Sequence, residues 1–223
     1  MDETEREFRE AIRRNPNDAD AHYNLGVVID RQGRFREALN EYREAIRINP
    51  NDAEARKNAG VMLHELGKLA ESEKEFREAI RINPDDAYVH SFLGGTLLKL
   101  EKSGEAEKEF REAIRRNPND ADMYFDLGDT LLKLGRFSEA ENEFREAVRI
   151  DPDDTDSHYN LGSILFEQGR FSEAENEFRE VIMRKPDDAD AHIRLASVLD
   201  KLGRAGEKNE ELRIAILLKT RNL

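Results

Sequence analysis

The sequence predicts an all-α fold, a linear array of antiparallel helix pairs, and three observations predict it. The six prolines of the 223-residue chain fall at 16, 50, 84, 118, 152 and 186, so every interval is 34 residues. A fixed period of that size is the signature of a repeat architecture. Within an interval the apolar residues take helical spacing twice: Ala21, Leu25 and Val28 share one helix face, and Phe35, Ala38, Tyr42, Ala45 and Ile46 share another. Ten of the thirteen glycines fall into two series at the same period, Gly26, Gly60, Gly94, Gly128, Gly162 and Gly33, Gly67, Gly135, Gly169, Gly203. Few are left for flexible linkers, so residues 1–223 read as one continuous stack.

Residues 1–18 read as the second helix of a truncated leading repeat, and the opening MDETEREFRE is acidic and amphipathic, unlike a signal peptide. Full repeats occupy 19–52, 53–86, 87–120, 121–154 and 155–188, and an atypical repeat occupies 189–223. First helices start at Ala19, Ala53, Ala87, Ala121, Thr155 and Ala189. Each follows an aspartate (Asp18, Asp52, Asp86, Asp120, Asp154, Asp188) whose short carboxylate can accept from the orphan N–H groups of the first turn. The Gly33 series stands where that helix must end in a left-handed residue. Glu101 takes this place in the third repeat, which predicts the least regular turn. The Gly26 series lies inside the first helix, where glycine costs ~1 kcal/mol against alanine, so close approach of the paired helix is expected. Second helices read FREAIRINP, with Glu73–Arg77, Glu107–Arg111, Glu141–Arg145 and Glu175–Arg179 at i,i+4. Their charges are expected to form a solvated outer surface. In the last repeat Lys208 replaces a small residue and Thr220 stands where proline would be.

Composition narrows the function classes. With 36 basic against 49 acidic residues the net charge is -13, so phosphate binding would lack its main driving force and nucleic acid is not an expected partner. The Arg13-Arg14 and Arg115-Arg116 pairs fall at second-helix ends, where they complement the helix dipole. No cysteine is present, and no apolar run approaches the ~20 residues of a membrane span; a cytoplasmic, non-membrane protein is expected. His22, His90, His158 and His192 are repeat-equivalent. Neighbouring helix pairs stack ~10 Å apart, too far for these rings to share one zinc. They are expected to pack at the helix-pair core with a hydrogen bond to a neighbour, and the isolated His64 to be solvated. No nucleotide loop, nucleophile elbow or metal-binding helix motif occurs. No enzyme activity, metal or cofactor is expected.

Asn24-Leu25-Gly26, Ala38 with Tyr42, and Pro50 in the first repeat, and Asn160-Leu161-Gly162, Ala174 with Phe178, and Pro186 in the fifth, carry a specific resemblance. The 34-residue helix–turn–helix with these residues resembles the tetratricopeptide repeat (TPR) over nearly the whole chain. The family's tryptophan at the fourth place is absent: His22, Arg56, His90, Tyr124, His158 and His192 stand there. The resemblance implies a right-handed superhelical solenoid whose first helices line a concave groove and whose second helices form the convex back. It further implies binding of proteins or extended peptides without catalysis.

Helical geometry places the second, fifth, sixth, ninth, twelfth and thirteenth residues of each first helix on the groove stripe. Asparagine at the sixth place can donate and accept at once, matching a peptide group. Asn24, Asn58 and Asn160 thereby resemble part of the asparagine ladder in the TPR arm of O-linked N-acetylglucosamine transferases, interrupted by Phe92, Asp126 and Arg194. Tyr23, Tyr88, Phe92, Phe125, Tyr159 and Phe166 are the candidate aromatic contacts, as anchors for a partner's side chains. Acidic second places (Asp20, Glu54, Asp122, Asp156, Asp190) and basic thirteenth places (Arg31, Lys99, Lys133, Lys201) favour a ligand with charges of both signs. The dicarboxylate clamp of chaperone-tail adaptors is missing, since the matching places hold Tyr23, Val27, Asn58, Tyr88 and Phe92, or Phe125, Asp129, Asn160, Asp190 and Arg194.

The peptide-binding site is therefore placed at Tyr23, Asn24, Asn58, Tyr88, Phe92, Phe125, Tyr159, Asn160, Phe166 and Arg194. Two other readings stand beside a protein-binding scaffold. The apolar run Ile214-Ala215-Ile216-Leu217-Leu218 suggests weak homo-association through the terminal repeats, as in a self-associating or designed array. The chain could also serve as the recognition arm of a larger enzyme such as a glycosyltransferase.

Overall fold

The computed structural model describes residues 3–221; Met1 and Asp2 of the leading segment and Asn222 and Leu223 of the last repeat lie outside it. Among the described residues the chain forms thirteen α-helices and no strand. It divides into two compact units, residues 1–118 and 119–223. The first contains α1 (Glu3–Arg14), α2 (Ala19–Asp30), α3 (Phe35–Ile48), α4 (Ala53–Glu65), α5 (Leu69–Ile82), α6 (Ala87–Lys99) and α7 (Ser103–Arg116). The second contains α8 (Ala121–Lys133), α9 (Phe137–Ile150), α10 (Thr155–Glu167), α11 (Phe171–Arg184), α12 (Ala189–Lys201) and α13 (Ala205–Arg221). Within each unit every helix packs on the one that follows it, so the chain is a series of hairpins.

The residues that punctuate the sequence punctuate the helices. Asp18, Asp52, Asp86, Asp154 and Asp188 accept hydrogen bonds from backbone N–H groups two or three residues on, at 2.9–3.3 Å. At the other end Gly33, Gly67, Gly135, Gly169 and Gly203 adopt φ between 71° and 76°. Glu101 differs from expectation. It adopts φ 61°, and the next N–H, of Lys102, donates to Leu97 O at 2.9 Å, as Lys68 N does to Leu63 O at 2.8 Å. The turn keeps the closing hydrogen bond of its glycine counterparts, at the ~1–2 kcal/mol cost of a left-handed non-glycine residue.

The inner glycines are explained by the rings they face. A Cβ at Gly26, Gly60, Gly94, Gly128 or Gly162 would approach the ring of Tyr42, Phe76, Phe110, Phe144 or Phe178 to between 2.6 and 3.2 Å. These five rings are fully buried and form the centre of each hairpin. The last hairpin changes both partners together: Ala196 replaces the glycine, and Leu212 replaces the ring. The hydroxyl of Tyr42, the one tyrosine in this series, is buried with no geometric hydrogen-bond partner among the described residues, Asn58 being the nearby polar group that acts on it. Burial holds its pKa well above the ordinary tyrosine value.

The charged second helices are more connected than a solvated surface. The i,i+4 pairs form, as in Arg77 Nε to Glu73 at 3.0 Å, but second-helix arginines also reach the next second helix. In the first unit Arg43 meets Glu71 at 2.6 Å and Arg77 meets Glu105 at 2.7 Å. In the second, Arg145 meets Glu173 at 3.0 Å. Cations at the turns fold back onto the preceding second helix, Arg34 on Glu5, Lys102 on Glu73, Arg170 on Glu141 and Arg204 on Glu175. Glu5 is 1% exposed, and its bond from Arg9, against the opposing effect of burial, holds its pKa down at about 2. Lys208 turns out of the last hairpin to pair with Asp200 at 2.9 Å, and α13 continues through Thr220 to Arg221 without a break.

Candidate functional site

In the first unit the stripe comes from α2, α4 and α6. Tyr23, at the fifth place of α2, tilts its ring onto buried Tyr42 with centroids 5.9 Å apart. Its hydroxyl accepts a hydrogen bond from Asn58 Nδ2 at 3.3 Å, a link across 35 residues. Burial, aided by the Glu54 carboxylate, pushes the Tyr23 pKa up. Asn58 therefore spends a donor inside the chain, whereas Asn24 is exposed. Tyr88 and Phe92, one turn apart on α6, are 52% and 42% exposed. Phe92 also stacks on Phe76 of the preceding hairpin at 5.9 Å and 19°, so one ring face is packed and the other open.

His64 is not solvated as expected. It is half-buried between α4 and α6, with Nδ1 2.8 Å from Thr96 Oγ1. Thr96 Oγ1 lies 3.4 Å from Ser72 Oγ, which donates to Gly60 O at 2.8 Å. Burial lowers the His64 pKa, and Lys99 lowers it further. A neutral ring closing a buried polar chain is the physical reason it leaves solvent.

In the second unit the stripe comes from α8, α10 and α12. Phe125 and Tyr159 pack edge-on against the buried rings of Phe144 and Phe178, each at 5.7 Å. Phe166 packs against Phe171 at 5.5 Å. These three are half-buried. The exposed aromatics of the stripe are thus Tyr88 and Phe92 of the first unit. Arg194 donates through Nε to the Tyr159 hydroxyl at 3.1 Å, again across 35 residues, and its guanidinium lies 5.9 Å from the ring centroid. The Asn160 side-chain amide makes no hydrogen bond among the described residues. It borders a cavity of about 580 Å³ with Leu132, Phe137 and Ile164 as apolar wall, and Arg194, Glu167 and Ser163 among the polar residues. Phe137 is 58% exposed; it escaped the sequence reading because it opens a second helix and so lies off the stripe.

The sixth places of this unit run from Asp126 through Asn160 to Arg194, an acid, an amide and a base. Burial, reinforced by Asp122, Asp129 and Asp120, pushes Asp126 up to about 6. Two of the acidic second places find nearby cations instead of the thirteenth places: Glu54 pairs with Lys57 at 2.8 Å and Asp190 with Lys219 at 3.0 Å. No cluster of three metal-ligating side chains occurs among the described residues, and no helix there is long and apolar enough to cross a membrane.

Family models described as tetratricopeptide repeat match residues 30–87, 93–155 and 159–207, and another of the same description matches 7–40. The chain belongs to the tetratricopeptide-repeat family. That places it among protein-interaction scaffolds. Among solved TPR structures it is similar to YrrB, described as a TPR protein with an unusual peptide-binding site, at 26% identity and TM-score 0.70, covering 82% of this chain and 95% of that one. It shares its fold with PilF of Pseudomonas aeruginosa at 18% identity and TM-score 0.77, covering 89% and 91% of the two chains. The same holds for MamA of Desulfovibrio magneticus RS-1 at 23% identity and TM-score 0.70, covering 76% and 96%. No curated protein matches the TPR chain by sequence.

Proposed function

We propose that the chain is a non-catalytic scaffold that binds extended peptides, or extended segments of proteins, on its first-helix faces. The observation that carries this reading is the second unit's cavity, where the uncommitted Asn160 amide borders an apolar wall of Leu132, Phe137 and Ile164. A peptide group offers one acceptor and one donor, which a side-chain amide meets with its own pair, while the wall gives a side chain somewhere to desolvate. Tyr88 and Phe92 offer aromatic surface for the same purpose in the first unit. The similarity to YrrB, itself described as peptide-binding, supports the reading. A displayed peptide library selected on the full chain tests it. Selected peptides are expected to bind Asn160→Ala and Phe125→Ala at least several-fold more weakly, and peptides that bind both variants as well as the parent would defeat it.

A second reading, weak homo-association, is favoured by Ile216 and Leu217 of α13, which are 64% and 54% exposed. Light scattering across a concentration series tests that reading, and a monomer at the highest concentration removes it.

A further inference from the structure

Four histidines occupy one environment that a neutral ring does not satisfy. His22, His90, His158 and His192 are 7%, 5%, 5% and 4% exposed. Their Nδ1 atoms lie 2.7, 2.7, 2.6 and 2.5 Å from carboxylate oxygens of Glu41, Glu109, Glu177 and Glu211 on the paired second helix. Their Nε2 atoms lie 3.3, 3.2, 3.0 and 3.1 Å from the carbonyls of Pro16, Pro84, Pro152 and Pro186 in the preceding turn. Both partners are acceptors. A neutral imidazole has one N–H and would turn a lone pair toward the second oxygen, whereas imidazolium donates to both. The second repeat gives an independent reading of the same seat. There Arg56, a permanent cation, donates to Pro50 O at 3.0 Å and to Glu75 at 2.7 Å.

We infer that the fourth place of the repeat is a cation seat, and that His158 in it is held as imidazolium, tying its first helix to the paired second helix and to the turn before it. The His158 junction is therefore proton-dependent, and the Arg56 junction is not. His158 has the fullest surroundings on which to test this. Glu177 and Arg184 act on it from α11, Glu180 and Arg179 line the same hollow, and Asp154 caps its own helix. Burial works against its charged form, but the Glu177 and Pro152 bonds outweigh burial and Arg184, so its pKa is raised. A raised folded pKa makes the stabilisation complete below the unfolded value of ~6.5 and removes it as pH rises through the folded value.

Long-range proton–nitrogen spectra of the imidazole rings in the full chain test the inference without any substitution. At pH 7.5 the His158 ring is expected to show two protonated nitrogens, and a neutral tautomer there would overturn the proposal. Thermal melts between pH 6 and 8.5 give a second test. The parent is expected to lose about 2–4 °C of midpoint for the His158 junction. His158→Arg should remove that share of the loss, while His158→Gln should melt lower already at pH 6. A His158→Arg chain that keeps the parent's full pH slope, or a His158→Gln chain that matches the parent at pH 6, would contradict it.

Discussion

Single residues that break the repeat's own rules give the sharpest energetic tests. Tyr42 places a hydroxyl, sealed from solvent and without a hydrogen-bond partner among the described residues, where four other hairpins use phenylalanine. An unsatisfied buried hydroxyl costs ~1–3 kcal/mol. Tyr42→Phe is therefore expected to stabilise the chain by about 1 kcal/mol, read as a higher denaturant midpoint at unchanged slope. A loss of stability would mean that nearby Asn58 engages the hydroxyl after all. Asp126 is the second exception, a half-buried acid where Asn24, Asn58 and Asn160 stand in other repeats. Its folded pKa, about 6, lies above the ordinary carboxylate value. The fold therefore binds this proton more tightly than the unfolded chain does, and stability falls as pH rises from about 4 to about 6. Asp126→Asn should remove that fall and add roughly 1–2 kcal/mol at pH 7 after solvent screening; equal pH profiles for parent and variant would refute the assignment.

At the scale of helices and hairpins, the glycine–ring pairs decide between two opposed effects. Alanine is worth ~1 kcal/mol over glycine inside a helix, but a Cβ at Gly94 would sit 2.8 Å from the buried Phe110 ring. Overpacking a filled core costs ~1–3 kcal/mol, so Gly94→Ala is expected to destabilise by about 1 kcal/mol. Adding Phe110→Leu should recover part of that loss, because the last hairpin already combines Ala196 with Leu212. Denaturant unfolding of the two variants checks this, and a Gly94→Ala chain more stable than its parent would contradict it. Helix starts at Ala19, Ala53, Ala87, Ala121, Thr155 and Ala189 were legible because cap, glycine and proline recur in register. The links between hairpins were not. Asn58 to Tyr23 and Arg194 to Tyr159 each span 35 residues, and the second-helix arginines reach glutamates 28 residues on. Aligning repeats at 34 sets equivalent places in one column, while these bonds join unlike places of successive repeats. The burial of His64 was hidden for a similar reason: its partner Thr96 lies 32 residues away.

For the molecule as a whole, the net charge of -13 coexists with second helices zipped by ion pairs and first-helix faces that keep amide, aromatic and apolar groups in reserve. Exposed ion pairs contribute little one by one, so the hairpin cores carry the fold, and the first-helix faces are where we propose recognition. The side-chain amide signals of Asn24, Asn58 and Asn160, followed by NMR as a library-selected peptide is added, test this division most directly. Asn160 is expected to shift strongly and Asn58 less, since one of its donors already serves Tyr23. A peptide that binds while all three amides stay fixed and shifts gather on the second helices would contradict binding on the first-helix faces.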